Sequence, residues 1–309
     1  MKVAVTGAFG YSGRYIAKRL LAAGHSVVTL TDSTQRPTPF ADKVRAVPFN
    51  FDRPAVLKES LTGISALINT YWVRFDHPLF THEQAVANTK VLFRAAQEAG
   101  VRRIVHVSIT NPDIKSDLPY FRGKAQVEAE LESLGVSHCI LRPAVLFGKE
   151  DVLINNMAWS LRHLPVFGVF GAGDYELQPI HVDDLAAAAV AKIAAGPDEV
   201  LNAIGPETFT YRGLAETIRK ALGLRRLILG VPPELGYWTC RALGLFLRDV
   251  VITREEIQGL LQGRLCVDAP ALGKTRLTDW IARHKDTLGL RYTSELARRM
   301  DRASSYRSN

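Results

Sequence analysis

The sequence predicts an α/β protein in which a parallel, doubly wound sheet is followed by a smaller, mostly helical C-terminal part. Two observations lead to this fold class. Short apolar segments typical of strands alternate with amphipathic segments typical of helices over the first half of the chain. A glycine-rich turn also joins the first predicted strand to the first predicted helix. Such an alternation implies right-handed crossovers and a parallel sheet with helices on both faces.

Each predicted strand of the first half is a short run rich in apolar and β-branched residues. Helical patterns separate these runs, and in the first helix Ile16 and Leu20 lie four positions apart, with Gly24 as the C-cap. A second helical pattern spans residues 81–100 and ends at Gly100. The predicted strands are KVAVT (2–6), SVVTL (26–30), RAVPF (45–49), SALINT (65–70), RRIVHVS (102–108) and SHCILRP (137–143).

The turn TGAFGYSG (6–13) follows the first strand and holds Gly7, Gly10 and Gly13 at intervals of three residues. Glycine allows the backbone to turn sharply and to approach a pyrophosphate, whose charge is stabilised by a helix N-terminus. In a strand–turn–helix context this spacing predicts a dinucleotide-binding (Rossmann) sheet. The alternative is a tight glycine turn that binds no ligand.

The end of the second predicted strand, LTDS (30–33), bears on the choice between NAD and NADP. An acid such as Asp32 can accept hydrogen bonds from the adenosine ribose and repel a 2′-phosphate, which favours NAD. Thr31 occupies the first position at which the acid is expected, and Arg14 or Arg36 could instead meet a 2′-phosphate. The expected cofactor is therefore NAD or NADP, with NAD slightly favoured.

The residues that follow the strands are further candidates, because ligands of such sheets bind at the carboxyl ends of the strands. Several polar strand ends converging on one edge favour a binding site, although each also suits an ordinary strand-to-loop connection. The aromatic residues of YWVRFDH (71–77) either flank the nicotinamide or the substrate, or pack within their own loop. The predicted cofactor contacts are Gly7, Phe9, Gly10, Tyr11, Gly13, Asp32, Asn50, Phe51, Thr70, Tyr71, Pro143 and Val145.

The alternation of strands and helices becomes less regular after residue 148. From Tyr211 onward the chain is predicted to be mostly helical, with one strand-like segment at residues 226–231. Residues 304–309 are predicted to form a frayed tail.

These patterns predict two parts. A dinucleotide-binding domain spans residues 1–150, and residues 176–205 return to it. Residues 151–175 and 206–309 are predicted to form the substrate-binding part, although no motif in them identifies a substrate.

The stretch YFRGK (120–124) places Tyr120 and Lys124 four positions apart near the start of a predicted helix. Residues with this spacing lie on one face of a helix, so the phenol and the ammonium can both face a cofactor. A phenol of pKa about 10 needs about 4 kcal/mol of differential stabilisation to ionise at pH 7. A cation about 4 Å away, at a dielectric constant of about 20, supplies about that much. The pair therefore suits proton transfer; the alternative is a surface aromatic beside a solvated lysine.

Four features in this order resemble the short-chain dehydrogenase/reductase superfamily: TGAFGYSG, Ser108, the Tyr120–Lys124 pair and QPIHVDDLA (178–186). The long C-terminal part makes the chain more similar to the extended and atypical branches. Those branches include the nucleoside-diphosphate-sugar epimerases and dehydratases, and the NAD(P)-binding proteins related to a complex I accessory subunit. Asn88 also falls where extended members carry an asparagine, and the resemblance covers residues 1–205.

The resemblance implies a role for each matching residue. Tyr120 would be the catalytic acid/base, and Ser108 would orient the substrate oxygen. Lys124 would bind the nicotinamide ribose and acidify the phenol. The chain departs from the family pattern in the link between these residues, since Ser108 and Tyr120 are only twelve positions apart and Pro119 directly precedes the tyrosine.

The composition is that of a globular protein, with 47% hydrophobic and 23% charged residues. The net charge of +8 comes from scattered Lys and Arg residues, which argues against nucleic-acid binding and favours an anionic small-molecule substrate. Cys139, Cys240 and Cys266 have neither disulfide nor metal-ligand spacing, and no metal site is predicted. Asp183 and Asp184 are expected to stabilise a helix N-terminus.

The chain begins with MKVAVTG, a strand pattern and not a signal peptide, so we expect a cytoplasmic protein that is a monomer or a homodimer. Its most apolar long segment, residues 235–252, contains Arg241, Arg248 and Asp249 and is therefore a poor membrane-spanning helix. We predict that this segment is an amphipathic helix facing the core; association with a membrane is the alternative.

Two functions of different classes remain compatible with the sequence. One is an NAD(P)-dependent oxidoreductase or epimerase/dehydratase acting on a small carbonyl or alcohol, including sugar nucleotides. The other is a non-catalytic NAD(P)-binding protein that senses redox state or serves as an assembly partner. Turnover of a substrate, and its loss or retention in Tyr120→Phe, separates the two.

Overall fold

The computed structural model describes residues 1–301, so the predicted tail at 304–309 lies outside the described residues. The described chain divides into two compact units. One unit contains residues 1–143 and 183–202, and the other contains residues 144–182 and 203–301. The assignment of one part to the dinucleotide and the other to the substrate stays a prediction.

The six strands predicted in the first half are present in the predicted order, and further short strands follow them. The strands are β1 (Lys2–Thr6), β2 (Ser26–Leu30), β3 (Val44–Val47), β4 (Ala66–Asn69), β5 (Arg103–Val107), β6 (His138–Pro143), β7 (Val145–Phe147), β8 (Val166–Phe170), β9 (Glu176–Leu177), β10 (Pro179–His181), β11 (Glu199–Ala203), β12 (Phe209–Thr210) and β13 (Leu227–Val231). The helices are α1 (Tyr11–Ala22), α2 (Pro54–Leu61), α3 (His82–Glu98), α4 (Pro119–Ser133), α5 (Leu153–His163), α6 (Val182–Ala191), α7 (Tyr211–Ala221), α8 (Pro233–Leu247), α9 (Arg254–Leu261), α10 (Leu277–His284) and α11 (Glu295–Met300).

The central sheet of the first unit has seven strands in the order β11-β6-β5-β4-β1-β2-β3. β1 lies between β2 and β4 and runs parallel to both. The predicted α/β fold with a parallel sheet is therefore confirmed. Strand order reverses on either side of β1, and such a reversal opens a crevice at the carboxyl ends of the strands. This edge is where the predicted cofactor contacts should gather.

The core of the first unit lies between the sheet and its helices. Helix α1 buries Ile16, Ala17 and Leu20 in the predicted register. The strands contribute fully buried apolar residues, among them Leu67 of β4 and Ile104 of β5. Because this core is assembled from all the parallel strands, their carboxyl ends are held at a common edge.

Two of the polar residues singled out by sequence lie at the start of α6. Asp183 and Asp184 are both in its first turn, where negative charge stabilises a helix. Asp183 also accepts two hydrogen bonds from Arg19 of α1, at 2.7 and 2.8 Å. Within residues 1–301, no group of three or more His, Cys, Asp or Glu side chains is arranged to hold a metal ion.

The predicted core-facing orientation of the 235–252 segment is wrong. Its helix, α8, buries only Gly236 and Gly244, while Leu245 and Phe246 are 79% and 83% exposed. The glycines explain this result, because they bring the helix backbone directly onto its unit. A Cβ on Gly236 would lie 2.6 Å from the ring of Phe170, and one on Gly244 would lie 2.6 Å from the Asp249 carbonyl oxygen. The large side chains of α8 are thereby turned outward.

No helix within the described residues is both long enough and apolar enough to cross a membrane.

Candidate functional site

The glycine turn after β1 has the tight backbone geometry that the sequence predicts. Gly7 has a φ of +66°, which glycine adopts at little cost, and its N–H donates to the Leu30 carbonyl oxygen at 2.9 Å. The Gly10 N–H donates back to the Gly7 carbonyl oxygen at 2.8 Å. A Cβ on Gly13 would lie only 2.2 Å from that same oxygen, so helix α1 is packed directly against the turn.

The N-terminus of α1 is arranged to receive an anion. Its N-cap, Gly10, provides no side-chain hydrogen bond, and its first turn contains no acidic residue. The first N–H groups of such a helix carry a partial positive charge that a phosphate can neutralise. Phe9 is only 4% exposed, so any contact it makes with a ligand involves its backbone, whereas Tyr11 is half-buried.

Substitution of Gly13 by alanine should weaken dinucleotide binding by about 10- to 100-fold, since the added methyl must push α1 away from the turn. The dissociation constant of NAD(P)H, measured by fluorescence titration, tests this. Gly24→Ala is the matched control. It also introduces strain, because Gly24 has a φ of +75°, but its Cβ would meet no atom within 4 Å. Equal loss of binding in both variants would show that general destabilisation, and not the turn, is responsible.

A buried polar network joins the carboxyl ends of β1, β4 and β5. The Thr6 hydroxyl donates to Asn69 Oδ1 at 3.0 Å and accepts from the Thr70 N–H at 2.6 Å. The Thr70 hydroxyl donates to the Thr6 carbonyl oxygen at 2.7 Å, and Asn69 Nδ2 lies 3.1 Å from His106 Nδ1. Of these residues Thr70 is a predicted cofactor contact, whereas Thr6 and His106 look like ordinary strand residues until the strands are aligned. The network fixes the strand ends relative to one another.

The buried imidazole of His106 is held neutral. Burial lowers its pKa well below the ordinary value, the positive charge of Lys124 lowers it further, and a hydrogen bond with Asn69 acts in the opposite direction. A neutral imidazole places no second cation beside Lys124.

Three aromatic residues form a cluster beside this network. The rings of Phe49 and Phe51 are stacked with centroids 4.7 Å apart, and the Tyr71 ring lies 5.1 Å from each of them. The Asn88 amide donates to the Tyr71 hydroxyl at 2.9 Å. The structure thus brings together Phe51 and Tyr71, which the sequence predicts as cofactor contacts, and adds Phe49 and Asn88.

Asn50 adopts a φ of +50°, and its side chain is engaged within its own loop. Its Nδ2 donates to the Pro48 carbonyl oxygen at 3.3 Å, while its Oδ1 accepts from Arg53 at 2.5 Å. These bonds hold the loop that follows β3. A role for Asn50 in cofactor binding stays a prediction.

At the end of β2, Thr31 is buried and accepts a hydrogen bond from the Ser33 N–H at 3.0 Å, so it acts as a turn-forming residue. Asp32 is exposed, whereas Arg36 is only 8% exposed. An acid and a guanidinium therefore both occur in the loop that follows the strand, and the choice between NAD and NADP stays open.

The Tyr120–Lys124 pair lies on α4, which begins at Pro119. Lys124 is only 2% exposed, and its Nζ donates to the Val107 carbonyl oxygen at 2.9 Å. The same Nζ lies 4.4 Å from the centroid of the Trp72 ring. Burial lowers the pKa of Lys124 to about 7, and the charge of Glu128 opposes this shift.

Ser108 follows β5 immediately after the carbonyl that accepts from Lys124. It is 3% exposed, and its hydroxyl has no hydrogen-bond partner within residues 1–301. A buried hydroxyl without a partner is costly, which favours a site where a ligand oxygen completes the pairing. Because Ser108 directly follows the Val107 carbonyl that accepts from Lys124, the two residues lie close together; their common role in a site stays a prediction.

Tyr120 is half-buried within a cluster of rings. The rings of Trp72 and His82 make T-shaped contacts with the Tyr120 ring, with centroid separations of 5.8 and 5.6 Å. His82 is tied to Asp76, whose Oδ1 lies 2.8 Å from His82 Nδ1. The sequence suggested an aromatic role for residues 71–77 without singling out Trp72, because its position over Lys124 depends on how the β4 loop meets α4.

The remaining two predicted contacts lie at the boundary of the units. Pro143 ends β6 in the first unit, and Val145 begins β7 in the second, where it pairs with Pro179 of β10. Their roles in cofactor binding stay predictions.

The sequence of this chain is similar to those of known proteins. A model of the NAD dependent epimerase/dehydratase family matches residues 3–204. The NADH dehydrogenase (ubiquinone) 1 alpha subcomplex subunit 9, mitochondrial, of Arabidopsis thaliana is 27% identical over 223 residues. That match covers 69% of this chain and 56% of the plant protein, so the chain spans little more than half of this relative's length.

Among the solved structures that share the fold, two contain a nicotinamide cofactor of a different kind. Citrobacter sp. triphenylmethane reductase complexed with NADP(H) has a TM-score of 0.74 at 19% identity, covering 92% of this chain and 99% of that one. The Bordetella bronchiseptica enzyme WbmH in complex with NAD+ has a TM-score of 0.62 at 18% identity, covering 74% of this chain and 85% of that one. At these identities the likeness establishes the fold alone.

Proposed function

Because the chain belongs to the NAD-dependent epimerase/dehydratase family, we propose that it is an NAD(P)-dependent oxidoreductase or epimerase. It would transfer hydride between the nicotinamide and a small carbonyl or alcohol. One observation carries the catalytic part of this proposal. The partnerless buried hydroxyl of Ser108 adjoins the carbonyl that holds Lys124, and Tyr120 lies one helical turn before that lysine. Those are the three groups needed to bind and protonate a substrate oxygen.

The dinucleotide fits the residues present. Gly13 packs closely on Gly7, and no side chain caps the N-terminus of α1, which suits a pyrophosphate. When bound, the nicotinamide supplies or accepts the hydride.

The chain's own residues would handle the substrate oxygen and its proton. Ser108 would donate a hydrogen bond to that oxygen, and the Tyr120 phenol would transfer the proton. The ammonium of Lys124 would favour the phenolate by electrostatic attraction. Because Trp72 and the Val107 carbonyl already contact Lys124 Nζ, we assign the lysine chiefly to this electrostatic role and give ribose binding second place.

The proposal extends to the substrate, the cofactor and the location of the protein. The substrate would be a small anionic molecule, including sugar nucleotides, because the protein carries a net charge of +8. The cofactor would be NAD or NADP, since each occurs in one of the two structures compared above. The protein would be cytoplasmic and a monomer or homodimer.

The test is a turnover assay with the purified full chain. NADH and NADPH are each titrated by fluorescence, and nicotinamide oxidation is then followed with a panel of quinones, aldehydes, ketones and nucleoside-diphosphate sugars. We expect tight binding of at least one dinucleotide and catalytic oxidation with at least one carbonyl class. Epimerisation, which consumes no net cofactor, is followed by chromatography of the sugar nucleotides. Absence of dinucleotide binding would reject both the enzymatic proposal and its alternative.

A second candidate function is non-catalytic NAD(P) binding in a redox sensor or an assembly partner. It is favoured by the plant relative, which is by its name a subunit of NADH dehydrogenase. Tight dinucleotide binding without turnover of any substrate in the panel would support this candidate against the first.

A further inference from the structure

The outward side of α8 is an apolar stripe. Leu235, Trp238, Ala242, Leu245 and Phe246 recur at helical spacing, so they lie on one face, and all five are exposed. Trp238 is 55% exposed, and Phe246 is 83% exposed. The opposite face of the helix is held against its unit by Gly236 and Gly244. The helix is therefore apolar on both sides, although only one side is covered.

The strands next to α8 extend this stripe. β13 and β8 form a two-stranded parallel ribbon in which Val231 pairs with Phe170. A Cβ on Gly236 would lie 3.2 Å from the Val231 side chain, so α8 covers the end of one ribbon face. Leu229 and Leu227 lie on that same face, because they precede Val231 at intervals of two residues.

The part of the ribbon that α8 does not reach is exposed. Leu227 is 63% exposed, Leu229 is 47% exposed, and Val166, the strand partner of Leu227, is 37% exposed. Ile228, on the other face of β13, packs against the core of the second unit instead. We call the exposed residues of α8 and this ribbon face together the α8 surface. Contiguous apolar surfaces of this kind mark interaction sites.

The charges around the α8 surface indicate what covers it. Residues 225–248 contain four arginines and one glutamate, which gives a formal charge of +3. Arg225, Arg241 and Arg248 are exposed, whereas Glu234 is paired with Arg254 at 2.9 Å. Arg241 lies three positions after Trp238 and four before Leu245, so it borders the stripe directly. An apolar face bordered by arginines, with a tryptophan among its apolar residues, is the pattern of a helix that lies in the interface of an anionic membrane.

A second copy of the chain fits this surface less well. Two identical faces brought together by a two-fold axis would both carry the same net positive charge and would therefore repel each other. Anionic lipid headgroups instead neutralise them, and the acyl boundary receives the apolar side chains.

We propose that the α8 surface docks the protein onto an anionic lipid bilayer as a peripheral membrane protein. Leu235, Trp238, Leu245 and Phe246 enter the headgroup and acyl boundary, and Arg225, Arg241 and Arg248 contact lipid phosphates. This proposal does not depend on the catalytic function proposed above.

Co-sedimentation of the full chain with vesicles tests the proposal. We expect binding to vesicles of phosphatidylcholine and phosphatidylglycerol, and about tenfold weaker binding to phosphatidylcholine alone. The double variant Leu245→Ser/Phe246→Ser should lower the partition coefficient for the anionic vesicles by about tenfold or more, because it removes two inserted side chains. Arg225→Gln/Arg241→Gln should lower it by about tenfold and reduce its salt dependence.

A matched control is Leu79→Ser/Ile114→Ser, which removes two exposed apolar side chains of the first unit (63% and 52% exposed) and should bind like the unaltered protein. Circular dichroism melting confirms that each variant is folded. The proposal is overturned if the unaltered protein stays in the supernatant in the presence of anionic vesicles. It is also overturned if Leu245→Ser/Phe246→Ser binds these vesicles as tightly as the unaltered protein. It is equally overturned if sedimentation velocity finds a dimer that this variant converts to a monomer, which would assign the surface to a second copy.

Discussion

Replacement of Tyr120 by phenylalanine should lower kcat by about 10²- to 10⁴-fold, the usual contribution of a general acid or base. The substitution removes only the hydroxyl. The ring keeps its contacts with Trp72 and His82, at 5.8 and 5.6 Å, so the fold and the dinucleotide affinity should be unchanged. The measurement is kcat on the best carbonyl of the panel, together with the NAD(P)H dissociation constant and the melting temperature of each protein.

The comparison variant is Tyr237→Phe, which removes a phenol hydroxyl from the second unit on α8. It should leave kcat within about twofold of the unaltered protein, as expected for a residue that transfers no proton in the reaction. A kcat that is equal in Tyr120→Phe and in the unaltered protein would remove Tyr120 from the mechanism. The proton would then have to come from another group or from water.

The sequence was sufficient where a single local stretch dictates the backbone. The glycine turn is such a case, because Gly7 needs a positive φ and Gly13 needs close packing, and both requirements are visible in TGAFGYSG. The central parallel strands β4, β5 and β6 were equally predictable, since they are buried and mostly apolar along their length. These elements account for the central sheet and for the proposed phosphate-binding turn.

The sequence was insufficient where the outcome depends on how distant segments meet. The bonds among Thr6, Asn69 and His106 exist only because β1, β4 and β5 are aligned side by side. The failure at α8 has the same origin. The apolar residues of α8 would fit a buried face as well as an exposed one. Only the packing of Gly236 against Phe170 decides which side of the helix points inward.

Gly123 illustrates how a residue inside a recognisable motif can have a structural task. A Cβ on Gly123 would lie 3.0 Å from both the Trp72 ring and the Val86 side chain. The glycine of YFRGK therefore lets Trp72 approach α4 and cover Lys124. The same contact bears on the two roles considered for Lys124. A lysine covered by an indole ring can still polarise a phenol, but it is poorly placed to bind a ribose.

The enclosure of Lys124 also makes it costly to the folded state. The carboxylate of Glu128, whose charge acts on Lys124, is already bonded to Arg142 through Nε at 3.1 Å. Burial lowers the pKa of Lys124 from 10.5 to about 7. Between these values the unfolded chain holds a proton that the folded chain lacks, so stability rises with pH across this window. Below about pH 7 the full penalty of the buried charge is present.

Lys124→Met should remove this pH dependence and reveal the cost of the lysine. The depressed pKa corresponds to about 5 kcal/mol, whereas the lost bond to Val107 and the lost contact with Trp72 together contribute about 2 kcal/mol. Near pH 6 the variant should therefore be more stable than the unaltered protein by about 3 kcal/mol, and near pH 10 it should be less stable. Urea unfolding at several pH values measures this difference. Lys58→Met, at an exposed lysine paired with Glu98 at 3.4 Å, should change stability by less than about 0.5 kcal/mol at every pH.

The same variant separates the two roles proposed for this lysine. If Lys124 acts on the Tyr120 phenol, kcat should fall by about 100-fold or more while the NAD(P)H dissociation constant stays within about twofold. If it holds the nicotinamide ribose, the dissociation constant should rise in parallel with the loss of kcat. A variant that is more stable near pH 6 and binds the dinucleotide normally, but turns over slowly, would mean that the buried charge is kept for catalysis at the expense of stability. If Lys124→Met is less stable than the unaltered protein at every pH, the low pKa of Lys124 is contradicted. The idea that the folded protein tolerates this lysine only for its chemistry is then contradicted as well.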